Sequence, residues 1–233
     1  GLIALLLIAI TSIYRKEIHL NYNMWHSLHL ILTALLITFG LWHLFEINYF
    51  FAMKPMRFVW IIEIAVWGIL FIFFHILKPF HMKRRPFVVK QVLAETSDVW
   101  TIILKPFGHR GMPFEAGQVA WININTSPFT IQRNPFSFSG SALKQDELRF
   151  TIKALGDFSS SIGHLKGGEK VYVDGPYGNF SLKDEKTKSG LVLLAGGIGI
   201  APIFSILKTL AEQKDQRPLF LFYGNYNEDD IIF

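Results

Sequence analysis

Gly196, Gly197 and Gly199 stand in the run Leu191-Val-Leu-Leu-Ala-Gly-Gly-Ile-Gly-Ile-Ala-Pro202. An apolar stretch of β type enters a glycine turn, and apolar residues at helical spacing leave it through Pro202. Glycines let a backbone close on a pyrophosphate, and the helix start beyond favours negative charge. The same pattern also serves plain strand-to-helix packing. Upstream lies Arg133-Asn134-Pro135-Phe136-Ser137. Phe136 can stack on a flavin ring and Ser137 can hydrogen-bond a ring nitrogen, which makes these two the candidate catalytic pair. The alternative is a buried strand in a chain with 22 phenylalanines. Gly156-Asp157-Phe158-Ser159-Ser160 reads as a turn into a short helix capped by Ser159, whose amides would bind a diphosphate. That turn, separate from the ring site, points to FAD rather than FMN. An ordinary helix cap is the competing reading.

A third constellation is apolar. His29 and His43 are fourteen residues apart. At 3.6 residues per turn they share roughly one face, about 21 Å apart along the axis. One helix can then offer an axial ligand to each of two stacked haems, and ionisable residues within a span are functional suspects. His26 is turned about 100° away from that face. The alternative places these histidines at the membrane interface, hydrogen-bonded near headgroups.

The elements that must position these residues fall into two solvent classes. The chain has 233 residues, 51% of them hydrophobic, and a net charge of +5; its mean hydropathy is +0.32. The apolar excess sits in the first third, in segments 2–14, 25–45 and 58–77. The second and third are about one bilayer long; the first is too short to span alone. Arg15 and Lys16 follow the first segment, and Lys78, Lys83, Arg84 and Arg85 follow the third. That bias places the C-terminal part in the cytoplasm of a plasma-membrane protein. The basic clusters border apolar segments, so they read as topology signals and no nucleic-acid partner is expected. From Pro86 onward short β-type runs, 87–93, 99–104, 118–124, 148–154 and 170–173, predict a small antiparallel barrel. Strand 191–195, helix 201–213 and strand 219–223 open an α/β nucleotide-binding domain. The expected division is a membrane part at 1–82, an FAD-binding barrel at 83–187 and an NAD(P)-binding part at 188–233. With no cysteine, disulfides, thiolate catalysis, iron–sulfur clusters and Cys-ligated zinc are excluded. The chain lacks an initial Met and stops just after a strand, and it reads as a fragment.

Together, Trp25-x-x-Leu-His29, Arg133-Asn-Pro-Phe-Ser, Lys153-Ala-Leu-Gly-Asp-Phe-Ser, Asp174-Gly-Pro-Tyr-Gly and Ala195-Gly-Gly-Ile-Gly-Ile-Ala-Pro resemble the NADPH oxidase and ferric reductase superfamily, its prokaryotic members most. The resemblance implies a partial membrane α-helical bundle, a ferredoxin-reductase-like barrel and the start of a nucleotide-binding domain. It implies haem b iron held by His29 and His43. It matches Phe136 and Ser137 to the flavin ring of FAD, Ser159 to its diphosphate turn, and Gly196, Gly197 and Gly199 to the NAD(P)H loop, with Arg133, Asn134, Pro135, Lys153, Gly156 and Pro202 also cofactor-binding. The implied activity carries electrons from NAD(P)H through FAD and two haems to dioxygen or ferric iron across the lipid bilayer. A haem-free, membrane-anchored flavin reductase and a non-catalytic membrane scaffold are the rival expectations. Two positions depart from that pattern. Asn134 stands where His or Arg is common, and Tyr226 follows Tyr223-Gly-Asn225 where many relatives carry Arg. NADH is therefore expected to serve at least about as well as NADPH.

Overall fold

The computed structural model describes residues 1–20, 22–47, 52–130, 134–182 and 190–233. The chain divides into two compact units, Gly1–Phe74 and His75–Phe233.

The first unit is helical: α1 (Leu2–Ile13), α2 (Tyr22–Ile47) and α3 (Lys54–Ile72). Leucine and alanine in these segments favour helix, and Pro55 lies at the start of α3, where its missing N–H is not needed. Thr11, Ser12, Thr33 and Thr38 each return a hydroxyl to the carbonyl four residues back. Their polar groups are thus satisfied without water. The apolar side chains mostly face outward: Ile61 is 55% exposed and Trp67 65%, while Ala4 and Leu32 are buried. Two helical stretches, Met24–Ile47 and Lys54–Arg84, are long and apolar enough to cross a membrane. The latter runs from α3 through a π-helical turn (Phe73–Leu77) into α4 (Lys78–Arg84).

The second unit is built from strands that bury one face. β1 (Phe87–Ala94), β2 (Val99–Pro106), β3 (Val119–Ile124), β4 (Asn134–Ser137), β5 (Leu148–Lys153) and β6 (Lys170–Tyr177) form one antiparallel sheet in the order β4-β3-β6-β1-β2-β5. A bridge between Phe138 and Phe150 links the two outer strands and closes the sheet into a barrel. Alternation decides which side chains go in. On β3, Ala120, Ile122 and Ile124 are buried while Trp121 turns outward. Phe138, Phe150, Ile102, Leu104, Ile122 and Leu148 are fully buried at the centre. Stacking of Phe114 on Phe138, ring centres 4.1 Å apart, extends that centre.

Helix α5 (Asp157–Ser161) follows β5. The chain then continues into β7 (Leu191–Gly196), α6 (Ile200–Gln213) and β8 (Leu219–Gly224). β7 and β8 pair in parallel, as a strand–helix–strand unit requires. Helix α6 buries Ile200, Ile203, Ile206 and Leu210 with Leu193 of β7 and Val99 of the barrel. Hydrogen bonds secure the same junction. Ser205 donates to the Gly140 carbonyl at 2.6 Å, the Ala142 N–H donates to Thr209 Oγ1 at 3.0 Å, and Ser141 donates to Glu212 at 2.6 Å.

Strand β6 runs four residues beyond the expected stretch of 170–173. Its Gly-Pro pair reads as a turn, yet Gly175 lies against Ala120 of β3, where a Cβ would come within 2.9 Å of the Ala120 Cβ. The glycine is there for close strand approach.

Candidate functional site

Two neighbourhoods of the second unit gather the sequence-predicted residues. The first joins β4 to α5. Asn134 and Ser137 are half-buried and Pro135 is exposed. Phe136 packs against the edge of the barrel core. Its ring lies nearly parallel to that of Phe158, with centres 5.9 Å apart and planes at 20°. The expected ring-binding strand and the expected diphosphate turn are therefore side by side. Phe158 was not foreseen as a site residue, although the Gly-Asp-Phe-Ser motif contains it. Arg133 lies outside the described residues.

The turn differs from expectation in its cap. Gly156 is the helix cap and Ser159 is the third helical residue. Ser159 Oγ accepts the N–H of Leu155 at 2.9 Å and of Gly156 at 3.0 Å, and donates to the Gly156 carbonyl. Its hydroxyl is spent on shaping the turn. What remains for an anion is the first-turn amides, which have no partner within the helix. Space beside Gly156 is open, with nothing within 4 Å of where a Cβ would lie.

Asp174 and Tyr177 anchor the end of β6. The Tyr177 hydroxyl donates to Asp174 at 2.5 Å, and the Lys78 ammonium sits 2.8 Å from the same carboxylate oxygen and also bonds the Tyr177 hydroxyl. Burial and the Asp174 carboxylate push the Tyr177 phenol above its ordinary value, against the opposing pull of Lys78. The phenol therefore stays protonated at neutral pH. This cluster ties α4 to the barrel.

The second neighbourhood is a cavity of about 380 Å³. The glycine loop supplies one wall, with Gly196, Gly197 and Ile198; the barrel supplies Thr96, Val99 and Lys153; the exit of β8 supplies Asn225, Tyr226 and Asp230. Gly197 has a φ of +49°, a left-handed conformation that glycine takes without steric cost. No atom lies within 4 Å of where a Cβ would be on Gly196, Gly197 or Gly199. These glycines are not packed against protein; they leave room. Pro202 lies in the first turn of α6, where helices accept it. Lys153, expected among the cofactor-binding residues, lines this cavity, its ammonium 3.3 Å from Asp98. Desolvation of Asp98 is outweighed by bonds from Thr96 and Lys153, so its carboxyl is held below the ordinary value. Tyr223 Oη and Asn225 Nδ2 are buried without a hydrogen-bond partner. Thr96, Val99 and Ile232 of this cavity were missed, since they are far apart in sequence and of ordinary type.

In the first unit, His29 and His43 both lie on α2. His29 Nδ1 is 3.4 Å from Ser12 Oγ, and its ring centre is 5.2 Å from that of Trp25. His43 is exposed. Neither α1 nor α3 carries a histidine. Among the described residues no cluster of three or more His, Asp or Glu side chains is placed to hold a metal ion.

Residues 193–233 match the oxidoreductase NAD-binding domain. The chain is 34% identical over 148 residues to the reductase component of propane 2-monooxygenase from Mycolicibacterium smegmatis, covering 62% of this chain and 41% of that one. Its fold is similar to phthalate dioxygenase reductase, described as a modular structure for electron transfer from pyridine nucleotides to an iron–sulfur centre, with a TM-score of 0.57, 25% identity, and 67% and 48% of the two chains covered. It is also similar to the flavohaem-like FAD/NAD-binding domain of nitric oxide dioxygenase from Vibrio cholerae, with a TM-score of 0.55, 25% identity, and 64% and 65% covered. The chain thus spans about two fifths of the M. smegmatis relative.

These matches define a ferredoxin-reductase-like barrel followed by the start of a nucleotide-binding domain, similar to NAD(P)H-dependent flavin oxidoreductases. They overturn the resemblance to the NADPH oxidase and ferric reductase superfamily. Most of the motifs that suggested it lie in the second unit. The chemistry they serve, hydride transfer from a nicotinamide to a flavin, is common to reductases with no membrane haem domain. Haem b, dioxygen and ferric iron gain no support from the matches.

Proposed function

We propose that this chain is an NAD(P)H-dependent FAD reductase, anchored in a bilayer by its apolar helices, that passes electrons to a separate acceptor on the cytoplasmic side. The reading divides the chain into a membrane part at 1–82, an FAD barrel at 83–187 and a nucleotide part at 188–233. The observation that carries it is the cavity where the barrel's Thr96, Val99 and Lys153 face the open glycines Gly196 and Gly197. A hydride donor held on the glycine loop would there adjoin the barrel that holds the flavin.

The residues fit both groups. Phe136 offers a flat apolar face and Ser137 a hydroxyl for a flavin ring, with Asn134 and Pro135 beside them on β4; Arg133 precedes them in sequence. The turn of Gly156 and Ser159 offers amides to the FAD diphosphate. Gly196, Gly197, Gly199 and Pro202 leave a pyrophosphate room at the start of α6, and Lys153 adds positive charge to the same cavity. Bound FAD supplies the conversion of a two-electron hydride donor into single electrons; the protein orients the two rings and keeps the site dry. The reading is tested on the purified full chain in detergent. It should retain FAD and oxidise a reduced nicotinamide with an artificial one-electron acceptor. Retention of FMN in preference to FAD, or no flavin at all, would sink it.

A second reading rests on one observation, the shared face of His29 and His43 on α2. Each would hold a haem b iron, with the opposing ligand from another segment. The absorption spectrum of the purified protein distinguishes the two readings. A low-spin haem band that disappears in His29→Ala and His43→Ala supports the second, and a flavin-only spectrum supports the first.

A further inference from the structure

Beside the glycine loop, the exit of β8 forms another part of the cavity wall, since Gly196 pairs with Gly224 across the two strands. Residues 224–230 read Gly-Asn-Tyr-Asn-Glu-Asp-Asp, three carboxylates with no Lys or Arg. Asn225, Tyr226 and Asp230 from this stretch line the cavity together with Gly196 and Gly197. The Asn225 side-chain N–H is buried and has no acceptor, which favours a ligand oxygen that would satisfy it. Among the described lining residues Lys153 is the one cation, and Asp98 lies 3.3 Å from its ammonium.

From this lining we infer that the cavity selects a nicotinamide dinucleotide with a free ribose 2′-hydroxyl and rejects its 2′-phosphorylated form. The inference rests on the flavin-reductase reading. With the pyrophosphate at the glycine loop, the adenosine ribose falls at the end of the second strand, which here is β8. A hydroxyl there can donate to the Asp230 carboxylate and accept from Asn225. A 2′-phosphate would meet Asp230 with like charge and find no cation at that wall. Like-charge juxtaposition within a partly closed site is strongly unfavourable.

The test pairs a binding measurement with turnover on the full chain. By calorimetry, ADP-ribose should bind tighter than 2′-phospho-ADP-ribose by about tenfold or more, and kcat/KM should favour NADH over NADPH by the same factor. Tyr226 is fully exposed, so Tyr226→Arg can place a cation at the cavity mouth without disturbing packing. That variant should gain at least about tenfold in affinity for the 2′-phosphorylated fragment. A smaller ratio in the parent chain, or an unchanged Tyr226→Arg, overturns the inference while normal turnover leaves the reductase reading standing. If neither fragment binds and neither dinucleotide is oxidised, the reductase reading falls and the inference falls with it.

Discussion

The barrel and the strand–helix–strand that follows it use the same residue types for opposite ends. In the barrel, glycine makes close approach possible: a Cβ on Gly175 would meet Ala120 at 2.9 Å. In the nucleotide region, Gly196 and Gly199 face open space. In the barrel, phenylalanine fills the centre, with Phe138 and Phe150 fully buried. On β8, Phe220 and Phe222 are about 60% exposed. The flavin side is therefore shaped by packing and the nucleotide side by room. A residue type reports neither role until its surroundings are known.

Four measurements would break or sharpen this contrast. The largest effect is expected at the barrel centre, where Phe138→Ala should destabilise the second unit by about 3–5 kcal/mol through lost burial and a residual cavity. Denaturant unfolding followed by barrel tryptophan fluorescence would show it; a loss under about 1 kcal/mol would mean that the centre is not packed as described.

Next comes the wedged glycine. Gly175→Ala forces a methyl into Ala120 and should cost about 1–3 kcal/mol. The corresponding change at the loop, Gly196→Ala, has space for its methyl and a φ of −127° that any residue accepts. Stability should stay within about 0.5 kcal/mol, while affinity for reduced nicotinamide falls about tenfold, some 1.4 kcal/mol. If Gly196→Ala unfolds the chain and leaves binding intact, the assignment of open and wedged glycines is reversed.

The smallest effect concerns charge. Burial alone would raise the pKa of Glu147, but hydrogen bonds and ion pairs with Lys90 and Arg149, both at 2.6 Å, outweigh it and hold the value below the ordinary 4.5. A lowered folded pKa means that the carboxylate contributes stability above about pH 4.5, and that the contribution is lost as pH falls through the folded value. The amount is under about 1 kcal/mol because Lys90 is half exposed. Glu147→Gln should flatten the stability profile in that acid range and lower stability near neutral pH by the same amount, under about 1 kcal/mol. A variant that retains the parent's acid slope would remove this pair from the account.

Much of the fold was legible because periodicity survives translation into structure. The apolar β-type run 119–124 marks a strand, and the spacing of Ile200, Ile203, Ile206 and Leu210 marks the buried face of α6. The short strand β4 was less legible, since Asn-Pro-Phe-Ser carries no alternation long enough to count. The glycine loop and the Gly156–Ser160 turn could be found as motifs. The role of Ser159 could not, because cap and third-position serines look alike until the turn closes. The family resemblance failed for a related reason: hydride-transfer motifs are shared by many reductases, and a pair of histidines on one apolar helix does not identify what the helix binds.

By itself the sequence determined local properties: helices apolar on every side, strands apolar on one, glycines where backbone must approach something, and an acidic stretch after β8 with no cation. These follow from side-chain chemistry at fixed spacing and need no distant partner. Only the tertiary structure decided that Phe136 meets Phe158, that Lys153 and the glycine loop line one cavity, and that Asn225 and Asp230 share it. Those meetings depend on barrel closure and on α6 docking through Ser205 and Thr209. Both bring together residues far apart along the chain, whose contact energies local sequence does not encode.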